Sequence, residues 1–134
     1  MIVTPLYAGL LTLWLVFLSV RVIQHRGSEK ISLGDGGSAR LVRVIRAQAN
    51  FTEYVPLALL LMAILEVNHH SIYVLHAFGI ALVIARLLHG YALSFTENFQ
   101  FGRVAGASLT FLVLTIEAAL CIYQAVIGHM LWVR

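Results

Sequence analysis

Residues 43–56 read RVIRAQANFTEYVP and run without a turn into the apolar LALLLMAIL. The stretch collects groups that recognise charge. Arginines offer planar forks that grip carboxylates in pairs, a glutamate receives a cation, and an asparagine amide donates and accepts at once. On a helix, Arg43, Arg46, Asn50, Glu53 and Tyr54 fall within an arc of about 100° and so share one face. A ligand suited to that face carries carboxylates for the arginines, a cation for Glu53 and backbone-like groups for Asn50. A small zwitterionic peptide has all three. The competing interpretation is structural: Arg40, Arg43 and Arg46 snorkel to the headgroups, and Glu53 pairs with an arginine to hold helices together. Glu53, however, lies roughly 10 Å deeper along a helix axis than Arg46. Snorkelling does not account for a carboxylate placed inward.

The elements that carry this face belong in a bilayer. Of 134 residues, 60% are hydrophobic and 11% charged, and the mean hydropathy is +0.90, far from the roughly 45–50% apolar and 25% charged of a soluble domain. Apolar runs at about 2–24, 54–67, 72–93 and 104–127 define four spans. The second reaches full length only if its helix begins near Ser38 or Ala39 and includes the polar stretch, giving a span of 39–67. Residues 25–39, HRGSEKISLGDGGSA, form the one long connection, with Gly34, Gly36 and Gly37 as breakers and Ser38 as an N-cap. NHHS at 68–71 is a tight turn, and SFTENFQFG at 94–102 a second short connection. The N-terminal run has no positive lead and no small-residue cleavage site, so it reads as a retained first span. The sequence predicts an all-α, integral membrane four-helix up-down bundle in one domain covering 1–134, with no room for a separate soluble catalytic domain.

Eight of the nine Lys and Arg residues lie at or toward the ends flanking the first and third connections, with only Arg134 at the opposite end. The positive-inside rule therefore places those connections in the cytoplasm and both termini across the membrane. The net charge of +3 comes without a dense basic run, so nucleic acid is not expected as a partner. Cys121 stands alone in an apolar stretch, which excludes an intrachain disulfide and a CxxC site. His69 and His70 lack a third ligand, and no metal is expected. Nothing suggests a phosphate loop or a hydrolase elbow. Glu66 is expected at the outer interface, and Glu117 requires a polar partner inside the bundle.

RVIRAQANFTEYVPL, together with ARLLHGY at 85–91, the long polar first connection and four-span hydropathy, resembles the MAPEG family, the membrane-associated proteins in eicosanoid and glutathione metabolism. The resemblance covers nearly the whole chain. It implies a homotrimer holding glutathione between subunits as co-substrate. It also implies that Arg46, Asn50, Glu53 and Tyr54 contact the tripeptide, with Gln48 serving a site shared between subunits because it points to another side of the helix. Arg26, after the first span, resembles a family arginine that reaches the tripeptide from the end of helix one. Arg86 and His89 fit the family's R-x-x-H or R-x-x-Y pattern in helix three. The chain departs from several relatives four residues after His89, where Leu93 replaces a tyrosine and Tyr91 is displaced by two.

A glutathione enzyme needs a cation or strong donor near the thiol, because the thiolate is the nucleophile. The family's mobile arginine near the start of helix four corresponds to Arg103. The second substrate implied is an apolar electrophile or lipid hydroperoxide entering from the bilayer, with Gly102, Gly106, Ala107 and Ser108 allowing helix four to approach a neighbour closely. The function expected is a glutathione transferase or peroxidase of a bacterial inner membrane. Two alternatives stand beside it: a non-catalytic lipid- or glutathione-binding membrane protein of the same fold, and a small channel or transporter conducting along the polar face.

Overall fold

The computed structural model of the chain describes residues 1–96 and 100–132, with side chains described through 130. Among the described residues there are four helices, α1 (Val3–Glu29), α2 (Ala39–Val67), α3 (Ile72–Phe95) and α4 (Gln100–Trp132), each long and apolar enough to cross a membrane. Residues 97–99 of the third connection and Arg134 lie outside the described residues.

The helices extend past the apolar runs that reveal them. α1 continues through His25, Arg26 and Glu29, so the first connection starts at Lys30, in the left-handed region (φ 55°), rather than at 25. α4 begins at Gln100 rather than 104 and continues to Trp132 rather than 127. Hydropathy marks where the hydrocarbon stops; the backbone hydrogen-bond ladder stops only at a cap or breaker. In the first connection the breakers are Gly34, Gly36 and Gly37, all with positive φ. A Cβ on Gly36 would also lie 2.6 Å from the Ile31 side chain. Arg26 closes this loop by donating from Nη1 to the Gly34 carbonyl at 2.8 Å. Ser38 then starts α2, its Oγ accepting from the Leu41 amide at 3.1 Å. At the other end the turn forms at Asn68 and His69, with φ of 58° at His69.

α2 and α3 make the central pair of an up-down bundle, with α1 and α4 each packed against both. The core has two parts. One gathers Leu11, Leu18, Phe51, Val55, Leu82 and Leu93; the other, toward the termini, gathers Val3, Tyr7, Met62, Leu65, Leu75, Phe78 and Val113. Gly79 receives the ring of Tyr7, and Gly106 seats α4 directly on α3: a Cβ there would lie 2.6 Å from the Ala85 carbonyl and 2.9 Å from the His89 amide nitrogen. Of the small residues expected to bring α4 close, Gly102 and Gly106 are buried, Ala107 is half-buried and Ser108 is exposed.

Candidate functional site

The polar face of α2 meets α3 and α4 through one buried guanidinium. Arg86, 2% exposed, donates from Nη1 to Asn50 Oδ1 at 2.8 Å and from Nη2 to the Gly106 carbonyl at 3.1 Å and to Thr110 Oγ1. Thr110 Oγ1 in turn donates to the Gly106 carbonyl at 2.8 Å. A cation inside a bilayer is tolerated when such acceptors surround it. Here they come from α2 and α4, and the bare backbone of Gly106 is what lets the α4 carbonyl come within reach. The carbonyl of Arg86 accepts from Trp14 Nε1 of α1 at 3.2 Å, so all four helices meet near this residue.

Next to the hub lies a cavity of about 270 Å³ lined by Val42, Arg43, Arg46, Asn50, His89, Leu93 and Arg103. Three guanidiniums and no carboxylate appear among its described lining residues, a set that favours an anion. Because Asn50 Oδ1 is engaged by Arg86, its amide nitrogen is the group left for a ligand. Arg46 and Glu53 form an ion pair at 3.6 Å across two turns of α2, yet their side chains remain 58% and 44% exposed. They lie on the outer surface of a single chain.

Four residues implied by the resemblance therefore line one cavity: Arg46, Asn50, His89 and Arg103. Glu53 reaches it through its pairing with Arg46. Tyr54 sets its ring edge-on against Phe111 of α4, with centroids 5.1 Å apart. Gln48 turns toward α1, where Nε2 donates to Ser19 Oγ at 3.1 Å. Arg26 is occupied with the first connection. Leu93, where the resemblance leads one to expect a tyrosine, lines the cavity without a hydroxyl. The roles of Arg86 and Thr110 as the cavity's support were not assigned from sequence. The available signal was an arginine in the middle of a span, which must find acceptors somewhere.

Two acids depart from or refine what the sequence suggests. Glu117 is 1% exposed, and its Oε2 has no hydrogen-bond partner among the described residues, contrary to the partner expected for it. Glu66 does more than sit at an interface: its carboxylate accepts from the amides of Ile2, Val3 and Thr4, the last two at 2.7 and 2.8 Å, and so caps α1 from the end of α2.

A bundle of four bilayer-length helices, with the arginine- and asparagine-bearing face of the second gathered over an arginine of the third, agrees with comparison to known proteins. A profile of the MAPEG family matches residues 4–123, and the chain belongs to that family. Among individual proteins, it is 35% identical over 114 residues to the Inner membrane protein YecN of Escherichia coli strain K12, covering 85% of this chain and 86% of that protein. The YecN of Escherichia coli O6:H1 matches to the same extent.

Proposed function

We propose that the chain is a glutathione-dependent transferase or peroxidase of the inner membrane, acting as a homotrimer. The observation that carries this reading is the convergence of Arg46, Asn50, His89 and Arg103 on one anion-favouring cavity. Glutathione offers two carboxylates to Arg46 and its neighbours and an ammonium to Glu53. The Arg103 guanidinium, at the cavity and exposed, stabilises the thiolate. That thiolate attacks an apolar electrophile to form a thioether as the leaving group departs. With a lipid hydroperoxide it takes the terminal oxygen, releasing the alcohol, and a second glutathione converts the sulfenic acid to disulfide and water. The second substrate enters from the bilayer, where all four helices expose apolar side chains.

Assembly follows from the same face. An ion pair about half exposed within a membrane span is costly against lipid, and a second copy covering α2 removes that cost. The cavity of about 270 Å³ in one chain falls below the roughly 300–1,000 Å³ of ligand pockets, and a neighbouring copy supplies the remaining wall. The bias of basic residues puts the first and third connections in the cytoplasm, with the site opening on that side. The name carried by the Escherichia coli relatives supports the inner membrane.

Leu93 favours one alternative, a glutathione- or lipid-binding protein without turnover, because the cavity lacks the tyrosine hydroxyl found in several relatives. Ultraviolet difference absorbance of detergent-purified protein titrated with glutathione separates the two. A saturable thiolate signal, lost in Arg103→Gln while calorimetric binding persists, is the expected result. Binding without a thiolate signal supports the alternative. No binding at all returns Arg46 and Glu53 to helix pairing.

A further inference from the structure

A second and larger cavity, about 470 Å³, lies on the other side of Arg43, between α1, the start of α2 and the end of α3. Arg43 and Leu93 form the wall shared with the first. Its polar lining is Arg21, Arg40, Arg43, Ser94 and Thr96, with no carboxylate among the described lining residues. Arg21 is fixed before any ligand arrives. Its Nη2 donates to the Ser94 carbonyl at 3.0 Å, and its guanidinium lies 4.5 Å over the Phe95 ring. Two donors are left over: Arg21 Nε and the hydroxyl of Ser94 are buried without a hydrogen-bond partner among the described residues, and Ser94 as a residue is only 8% exposed. Buried donors of this kind normally have acceptors. Several guanidiniums with an idle hydroxyl suit an oxyanion bearing several acceptor oxygens.

An apolar feature begins at the same place. Phe95, which lines the cavity, stacks with Phe17 at 6.1 Å, and Phe17 stacks with Trp14 at 5.0 Å. Tyr91 stacks on Phe95 from one turn earlier in α3. Phe17, Phe95 and Tyr91 are exposed, so the row forms an open track along α1 and α3 from the cavity toward the middle of the bundle. Basic pockets between helices at the headgroup level hold anionic lipids, and a free anion would have no use for an aromatic track leading into the hydrocarbon.

We infer that this cavity binds an anionic phospholipid, with Arg21, Arg40, Arg43 and Ser94 holding the phosphodiester and an acyl chain lying along Phe95, Phe17 and Trp14. The assignment is independent of whatever occupies the neighbouring cavity.

The test is native mass spectrometry of the full chain released, without glutathione, from micelles containing equal dioleoylphosphatidylglycerol and dioleoylphosphatidylcholine. Preferential retention of phosphatidylglycerol is expected. Arg40→Gln should lower it about tenfold, as expected for loss of one charge-assisted hydrogen bond. Arg40 is exposed, so this variant folds even if Arg21→Gln does not. Arg46→Ala should leave retention unchanged. Equal retention of the two lipids, or unaltered retention in Arg40→Gln, overturns the inference; so does equal loss in Arg46→Ala, which would put the anion in the first cavity. Thermal unfolding with inorganic phosphate distinguishes the other source: protection by phosphate as large as that by phosphatidylglycerol would make the ligand a free anion and overturn the lipid assignment.

Discussion

Arg86 and Glu117 are both ionisable, both almost fully buried and both set on the helices that pack most intimately through Gly106. Among the described residues, one donates from both terminal nitrogens to acceptors on α2 and α4, with its Nε left unpaired; the other finds no partner for its Oε2. The difference shows how each half of the bundle is built. Toward the first and third connections, close approach of α3 and α4 turns a backbone carbonyl and a threonine into ligands for a guanidinium, and that guanidinium orients Asn50 in the candidate site. Toward the termini the packing is apolar, around Tyr7, Met62, Leu75, Phe78 and Val113, and Glu117 there gains burial without a partner for its Oε2 among the described residues. Burial of a polar group is therefore no measure of its contribution; the acceptors and donors around it decide the sign.

The contrast can be broken most severely at Arg86. Arg86→Leu strands Asn50 and removes hydrogen bonds to a charged group, and should cost about 3 kcal/mol, read as a fall in thermal unfolding midpoint in detergent together with loss of the glutathione binding proposed above. Gly106→Ala attacks the same arrangement through the backbone. Its Cβ has no room against Ala85 and His89, and forcing α3 and α4 apart should cost about 2 kcal/mol by the same measurement, with Arg86 chemically intact. If Gly106→Ala were neutral, close helix contact would not be what supports the hub.

In the terminal half, Glu66 and Glu117 provide an internal contrast between two acids. Glu66→Ala uncaps the first turn of α1 and should destabilise by about 1.5 kcal/mol, with faster hydrogen exchange at Val3 and Thr4 as its local signature. Glu117→Leu should act in the opposite direction, raising stability by about 1 kcal/mol, since replacing an unpartnered buried acid by an apolar residue removes a desolvation cost. A lowered midpoint in Glu117→Leu would reveal a partner for this carboxylate in another copy of the chain.

Sequence reading reached the parts governed by local rules. Ser38 as a cap, the turn after Asn68 and the glycine-rich first connection follow from residue chemistry within a few positions. The common face of Arg46 and Asn50 follows from the period of the helix. It did not reach Gln48, whose direction on α2 was legible but whose partner Ser19, 29 residues away, was not. Nor did it distinguish Arg43 as the wall between two cavities, because that depends on where the end of α3 lies relative to the start of α2.

The sequence by itself determined four membrane-crossing helices, their order and the polar face of the second, because hydropathy, capping and helical period act through neighbours along the chain. Only the tertiary structure decided which groups those faces meet: that Asn50 serves Arg86, that Glu117 Oε2 meets no hydrogen-bonding group among the described residues, and that Arg21 joins Ser94 beside an aromatic track. Those outcomes depend on how closely and at what register the helices pack, and that is set by contacts such as Gly106 on Ala85, between residues 21 positions apart, which no local rule specifies.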